Sequence, residues 1–236
     1  MQSNEEQHNI HAATNNQLQH PIRDLNLLLG IEGEFMVPFD PCFVGAHYVR
    51  DFKVTLYTDN DDFDSFEVAH CEVHLMMTAQ IESLKEEADE HSAPMYQAVL
   101  DMFDGQRLNR RVKSLFGRPK NRNILLVDTL HVDPQYRCMG IGQMLIETIQ
   151  KLARDVAGFM VAVPYAPEAP QPSLHGTEVE LEANNVLYEE HLLRVIRFFQ
   201  KCGFRVITED TMIFSTELSE QPSLGEALKV HEQFGS

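Results

Sequence analysis

The stretch DPQYRCMGIGQML, residues 133–145, holds the residues whose types and spacing point most directly to chemistry. Gly140 and Gly142 stand where an amphipathic helix is predicted to begin, and Arg137 precedes them. The first N–H groups of a helix have no partner within it, and glycine lets a ligand approach the backbone closely. Successive N–H groups in such a place bind anions. The stretch therefore predicts a site for a phosphate or pyrophosphate group.

Two common phosphate-binding loops do not fit this stretch. The dinucleotide-binding fingerprint requires a third glycine where the chain has Leu145, and an acidic residue near the end of the next strand. That strand region, AGFMVAV, contains no acidic residue. The nucleotide-binding P-loop requires Gly-Lys-Ser/Thr, but Gly142 is followed by Gln143 and Met144. An α/β binding domain in which the glycine pair arose by chance stays open as an alternative.

The remaining pattern resembles the GCN5-related N-acetyltransferase (GNAT) superfamily. Its cofactor motif is a strand, Val-x-Pro, and then [Arg/Gln]-x-x-Gly-x-[Gly/Ala] opening a helix. This chain has Val132-Asp133-Pro134 followed by Arg137-Cys138-Met139-Gly140-Ile141-Gly142. A later segment, RFFQKCGF at 197–204, is similar to the Tyr-containing sequence that ends a helix of the family before a strand. The resemblance covers residues 124–215.

This resemblance implies an α/β fold with a mixed, mostly antiparallel central sheet, splayed at the cofactor site and flanked by helices. It also implies acetyl-CoA as co-substrate, with coenzyme A released. The central strand would offer backbone groups to the pantetheine arm at Leu130, His131 and Val132. The pyrophosphate would lie on the backbone of the loop formed by Arg137, Cys138, Met139, Gly140, Ile141, Gly142 and Gln143. The Cys138 thiol is interpreted as a space-filling group, with a reactive thiol as the alternative.

The implied reaction is direct attack of a primary amine on the thioester carbonyl, polarised by a backbone N–H near residues 130–132. Asp128 is the candidate base, because it is a carboxylate in an otherwise apolar strand. Burial is expected to raise its pKa towards a useful value. The alternative is that Asp128 only forms a structural hydrogen bond. The acceptor is predicted to be a small molecule or a peptide.

Two positions depart from the family pattern. Many members have a tyrosine four residues before the glycine of Gly-Phe, where this chain has Phe199, and an asparagine seven residues earlier, where it has Leu192. Phenylalanine has no proton to give to the leaving thiolate. Either Phe199 packs and water supplies the proton, or the chain is a catalytically weakened or non-catalytic module that binds coenzyme A.

The elements that position these residues follow from hydrophobic patterning. Residues 51–58 and 66–77 read as an antiparallel hairpin, 124–132 as a central strand, and 140–156 and 177–203 as helices. Residues 1–20 are predicted to form a disordered arm, 21–217 a single domain with its cofactor-binding core at 124–215, and 218–236 a partly mobile tail. The order of hairpin and then helices differs from the usual order of the family.

Charge and composition limit the partners. The net charge of −17 argues against a nucleic-acid partner, and acidic runs could either attract a cationic amine or serve solubility. The absence of an 18-residue apolar run and of a secretory leader predicts no membrane association and a cytoplasmic location. His70, Glu72 and His74 alternate along one strand face, which favours a polar face over a metal site, so no metal is predicted. Monomer and homodimer both stay open.

Overall fold

The structure is a computed structural model of the chain, and it describes residues 27–33, 48–59, 65–165 and 178–223, together with residues 226 and 229. Of residues 178–183, the backbone alone is described. The predicted N-terminal arm at 1–20, a proline-rich segment at 167–176 and the last part of the predicted tail lie outside these ranges. The limits of the predicted domain therefore stay predictions.

A mixed sheet of seven strands forms the centre of the molecule. Its order is β1-β2-β3-β6-β7-β9-β8, and every neighbouring pair is antiparallel except β6 and β7. Strands β4 and β5 form a separate two-stranded ribbon. The strands span β1 Leu27–Gly33, β2 Val49–Asp59, β3 Ser65–Met76, β4 Phe103–Asp104, β5 Arg107–Leu108, β6 Ile124–Val132, β7 Phe159–Ala162, β8 Arg205–Val206 and β9 Met212–Ser215.

Helices cover both faces of the sheet, because each face of its central strands is apolar. The helices span α1 Leu84–His91, α2 Ala93–Met102, α3 Arg110–Phe116, α4 Ile141–Ala153 and α5 Glu178–Lys201. In one hydrophobic core, side chains of α4 and α5 pack against sheet residues such as Val73, Leu125 and Val127. The other joins α1, α2 and α3 to Ile124, Leu126 and Phe159. The predicted fold class, a mostly antiparallel sheet flanked by helices, is confirmed.

Strand β6 changes its pairing half-way along, at Asp128. In the ladder with β3, Val73 pairs with Val127 and Glu72 with Thr129, so Asp128 is an extra residue in a β-bulge. On its other side β6 pairs with β7 over Ile124–Val127 alone. The edge of residues 128–132 that faces away from β3 thus has no strand partner among the described residues. This is the predicted splay, and the bulge marks where it begins.

The bulge also decides which way the side chains of β6 point. Leu125 and Val127 pack on the α4 side, and so do Leu130 and Val132, although a regular strand would turn the last two to the opposite face. The extra residue brings Asp128 and Thr129 to one side of the sheet, where the Thr129 hydroxyl donates a hydrogen bond of 3.3 Å to the Asp128 carboxylate. The bulge thereby places a carboxylate beside the open edge.

Candidate acetyl-CoA and amine site

The loop before α4 presents a row of unbonded N–H groups. Cys138 (φ 60°) and Gly140 (φ 85°) both lie in the left-handed region, and Gly140 is the N-cap of α4. The first backbone bond into the helix runs from the Met144 N–H to the Gly140 carbonyl, at 3.0 Å. Within the described part of the chain, the N–H groups of residues 138–143 find no hydrogen-bond acceptor. Left-handed residues that expose successive N–H groups at a helix start form an anion-binding concavity.

Short-range contacts hold this loop in place. The Asp133 carboxylate accepts a hydrogen bond from the Gln135 N–H at 3.0 Å, and the Arg137 Nε donates to the Val132 carbonyl at 2.9 Å. Arg137 thus ties the loop to the end of β6. A Cβ on Gly142 would lie 3.4 Å from a methyl group of Val132 and 3.5 Å from the ring of Phe198 on α5. A large side chain at 142 has no room on the protein side.

The open edge of β6 runs directly into this loop, as the resemblance implied. Leu130 and Val132 are half-buried against the α4 core, while His131 is exposed. The His131 ring stacks on that of His70, its cross-strand partner on β3, with ring centroids 5.3 Å apart. The predicted pantetheine residues therefore lead directly towards the predicted pyrophosphate loop, with the hydrogen-bonded turn of residues 133–137 between them and the free N–H groups.

Asp128 lies beside a histidine that the sequence did not connect to it. The His74 Nε2 is 3.6 Å from the Asp128 carboxylate, and the two side chains are 15% and 27% exposed. Hydrogen bonding to His74 lowers the pKa of Asp128, and this effect outweighs burial. The expectation that burial would raise the pKa of Asp128 is therefore wrong, because the carboxylate has an ion-pair partner. Asp128 stays ionised at neutral pH.

His74 is placed between two carboxylates. Its Nδ1 lies 2.6 Å from the carboxylate of Asp51, which pairs with it across β2 and β3. Burial lowers the pKa of His74, but the hydrogen bonds to Asp128 and Asp51 outweigh burial and raise it. As predicted, His70, Glu72 and His74 point to one face of β3, and they have different neighbours. His70 bonds to Glu67, and Glu72 is exposed.

His91, at the end of α1, joins the same cluster. Its ring lies edge-on to that of His74 with centroids 4.8 Å apart, and its Nε2 is 3.4 Å from the Asp51 carboxylate. This Nε2 is buried and has no hydrogen-bond partner among the described residues. Asp51, His74 and His91 offer ligand atoms within 4.8 Å of one another, but the 2.6 Å contact of His74 with Asp51 has the geometry of a hydrogen bond. That no metal is required stays a prediction.

The two histidines are expected to affect stability in opposite directions with pH. His74 has a raised pKa, so its stabilising contribution is complete below about pH 6.5 and is lost as pH rises through its higher folded pKa. Burial, followed by repulsion from His74, lowers the pKa of His91, so His91 disfavours folding as pH falls below about 6.5. The charged neighbours of both are Asp51 and Asp128, with Glu87 beside His91.

Melting temperatures of His74→Asn and His91→Asn between pH 5 and pH 8.5 test this expectation. Relative to the unmodified chain, His74→Asn should lose more stability at pH 5 than at pH 8.5. The melting temperature of His91→Asn, relative to that of the unmodified chain, should be higher at pH 5 than at pH 8.5. Parallel curves for the two variants and the unmodified chain would contradict the assignment.

Phe199, which replaces the tyrosine of the family pattern, belongs to the core. It is 6% exposed, and its ring packs edge-to-face on Phe198 and Phe204 at centroid distances of 5.3 and 5.2 Å. Its neighbour Phe198, rather than Phe199 itself, contacts Gly142 at the cofactor loop. Phe199 therefore has a packing role in the core, with which both alternatives for catalysis agree.

Restoring the tyrosine is therefore expected to bring no catalytic gain. Phe199→Tyr would put a hydroxyl among apolar rings, and an unpaired hydroxyl there costs about 1–3 kcal/mol of stability. We expect a lower midpoint of denaturant unfolding and a rate of thiol release within about twofold of the unmodified chain, since the ring packs against Phe198 and Phe204 in the core. A large rise in kcat would show that position 199 reaches the reacting atoms.

Comparison with protein-family profiles gives a match to part of the chain. A sequence profile described as the acetyltransferase (GNAT) family matches residues 82–172, from just before α1 through β6, the loop and α4 to beyond β7. These matched residues, 82–172, are called the GNAT segment below. The match includes the open edge of β6 and the loop, and so confirms the resemblance carried by the glycine motif. No curated protein matches the chain.

Several solved acetyltransferase structures are similar to the chain at low identity. Arabidopsis thaliana NAA60 in complex with acetyl-CoA is 11% identical, with 70% of this chain and 76% of that one covered and a TM-score of 0.38. A Drosophila melanogaster polyamine N-acetyltransferase that forms N-acetylagmatine is 16% identical, with 70% and 74% covered and a TM-score of 0.34. The KacTA–DNA complex is 12% identical, with 88% of this chain and 99% of that one covered and a TM-score of 0.34. Because these TM-scores are low, the fold assignment depends on the sheet itself and on the GNAT segment.

The helices in the described part of the chain include none with an apolar stretch long enough for a membrane crossing.

Proposed function

We propose that the chain transfers an acetyl group from acetyl-CoA to a primary amine of a small molecule or peptide. The observation that carries the proposal is the row of unbonded N–H groups at 138–143, which follows the open edge of β6 after one short turn and lies within the GNAT segment. A doubly charged pyrophosphate matches such a row. The thioester arm would lie along residues 130–132, where β6 has lost its partner strand.

The opposite side of the bulge supports an amine as the acceptor. The polar face of β2, β3 and β6 carries four carboxylates: Asp51, Glu67, Glu72 and Asp128. Lys53 lies on the same face and forms an ion pair with Glu67 at 3.0 Å. A surface with this balance attracts a cation, and an amine is protonated at neutral pH. It also disfavours a nucleic-acid acceptor, because phosphates would meet carboxylates.

Asp128 is the group that we propose for the proton transfer. The amine enters this step neutral, after its ammonium form has lost one proton to solvent. Its nitrogen attacks the thioester carbonyl carbon, the carbon–sulfur bond breaks, and the thiolate of coenzyme A leaves. Asp128, ionised because of His74, accepts the proton that the amine loses and passes it to water. A backbone N–H on the open edge of β6 would stabilise the developing oxyanion, and solvent would protonate the thiolate.

The free thiols in the described part of the chain agree with the predicted cytoplasmic location. Cys71, Cys138 and Cys202 are unpaired, and burial raises the pKa of the Cys202 thiol to about 12. A thiol with this pKa is inert at neutral pH. Cys138 is exposed in the loop, where a reactive side chain would be accessible.

An amine panel with acetyl-CoA tests the proposal. Release of coenzyme A is followed with a thiol reagent, using agmatine, spermidine, a lysine-containing peptide and peptides with free N-termini as acceptors. Reactions without acceptor correct for hydrolysis, and mass spectrometry identifies the acetylated product. We expect turnover with at least one cationic amine and none without an acceptor.

A second candidate is a module that binds coenzyme A without catalysis, and the buried phenylalanine at position 199 motivates it. This alternative predicts a clear thermal shift with both acetyl-CoA and coenzyme A, and no thiol release with any amine. No thermal shift with either compound would remove both candidates.

A further inference from the structure

A pocket of about 470 Å³ lies at the other end of β6, away from the acetyl-CoA loop. Its lining combines four cationic side chains with two apolar residues: Arg107, Lys113, Arg118, Arg122, Leu108 and Pro119. Arg122 lies two residues before β6, whereas the loop follows its last residue, so a strand of nine residues separates the two sites. At about 3.3 Å per residue, the separation is roughly 30 Å.

The four cations of this pocket are held together without a compensating carboxylate. The described residues contain no ion pair within 4.0 Å that involves any of the four. Asp104 faces Arg107 across the β4–β5 ribbon but makes no such pair. Glu217, two residues past β9, accepts hydrogen bonds of 2.8 Å from the backbone N–H groups of Lys120 and Asn121. Four like charges around one concavity favour an anionic ligand.

Contacts of the backbone and of Asn123 fix the pocket loop, and the Arg122 Nη1 also donates a hydrogen bond of 3.0 Å to the Gln106 carbonyl. The Asn123 side-chain amide donates to the Val156 carbonyl at 3.0 Å, and the Gly158 N–H donates to the Asn123 carbonyl at 3.0 Å. A Cβ on Gly158 would lie 1.8 Å from the Asn121 carbonyl oxygen, so glycine is required for this close packing. Arg118 and Arg122 are therefore carried by an anchored segment, and little ordering is needed when a ligand binds.

We propose that this pocket binds a small compound with two or more phosphate groups. Arginine forms paired hydrogen bonds to phosphate oxygens, and three arginines with a lysine can meet several phosphates at once. Leu108 and Pro119 offer an apolar surface for the rest of such a ligand. The volume is in the range of small-molecule sites. An extended nucleic acid would leave the pocket and meet the surface of a chain whose net charge is −17, so a small ligand is favoured.

Titration calorimetry with inorganic tripolyphosphate tests the proposal on the full chain. Three proteins are compared: the unmodified chain, Arg118→Gln/Arg122→Gln in the pocket, and Lys151→Gln/Arg154→Gln at the exposed end of α4. Both variants remove two positive charges, so they differ only in where the charges were. Sodium sulfate at equal ionic strength is the control ligand, and saturating coenzyme A in all samples keeps tripolyphosphate from the loop at 138–143.

We expect saturable binding of tripolyphosphate to the unmodified chain and to Lys151→Gln/Arg154→Gln. Binding to Arg118→Gln/Arg122→Gln should be at least tenfold weaker. Equal loss in both double variants, or heat no greater than that of sulfate, would overturn the proposal. Single-stranded RNA that binds through Arg118 and Arg122 more tightly than tripolyphosphate would overturn the assignment to a small ligand. Since the comparison is between variants, it does not depend on acetyl transfer.

Discussion

Gly142→Trp is expected to abolish binding of acetyl-CoA. The Cβ of residue 142 points between Val132 and Phe198, at 3.4 and 3.5 Å, so an indole has to displace those side chains or turn over the loop. Either change covers N–H groups of residues 138–143. Losing about two hydrogen bonds to a charged group, at about 1.5–3 kcal/mol each, weakens binding by at least about 100-fold. The measurement is the thermal shift and calorimetric Kd for acetyl-CoA and coenzyme A.

Gly142→Ala is the matched control for this experiment. A single methyl group at 3.4–3.5 Å from its neighbours makes ordinary van der Waals contact. Alanine also favours a helix interior over glycine by about 1 kcal/mol, so this variant should fold at least as well and keep most of its affinity. Circular dichroism is the check that Gly142→Trp is folded. Unchanged affinity in a folded Gly142→Trp variant would mean that the pyrophosphate lies elsewhere.

The glycine motif predicted the loop well because it is local. Residues 124–142 alone determine the strand, the helix start after it and the glycines that leave the backbone accessible. The structure has β6 at the predicted limits and Gly140 at the N-cap of α4. The hairpin of residues 51–58 and 66–77 was also predictable, since alternation and β-forming residues act along a single segment. Gly203, just after α5, has φ 91°, the left-handed conformation that a glycine ending a helix adopts.

The early edge strand and the ribbon were missed for physical reasons. β1 reads LLLGIEG, an apolar run without alternation, and its strand state comes from pairing with β2 along its whole length. β4 and β5 have two residues each, too few for a pattern. Neither segment has a signal that a single sequence could show.

The surroundings of Asp128 were predicted wrongly because register is not a local property. A carboxylate in an apolar strand suggests burial and a raised pKa, but the bulge turns Asp128 towards His74, and the pKa is lowered instead. Asp51 and His91 were not connected to the site at all, since they come from β2 and α1. Alternation placed His74 on the correct face of β3. Its two carboxylate partners depend on strand pairing that the sequence does not state.

Asp128→Asn is expected to remove most of the activity while leaving acetyl-CoA bound. Asparagine keeps the shape and can still accept a hydrogen bond from the Thr129 hydroxyl, but it cannot take a proton from the amine. Loss of a general base lowers the rate by about 10²–10⁴-fold. The expected result is a fall of that size in kcat for the best amine of the panel, with the Kd for coenzyme A within about twofold of the unmodified chain.

The pH profile of this variant separates a base from a structural carboxylate. If Asp128 accepts the proton, hydroxide at higher pH partly replaces it in Asp128→Asn, so the ratio of its rate to that of the unmodified chain rises. If Asp128 only holds His74, the loss appears in stability, at the lower pH values where His74 is charged, and the rate ratio stays flat. Asp155→Asn, an exposed carboxylate just past α4, controls for the change in net charge and should keep full activity. His74→Asn should lose part of the activity, because His74 lies 3.6 Å from the Asp128 carboxylate and helps to position it. A fully active His74→Asn would show that Asp128 does not need His74 for catalysis.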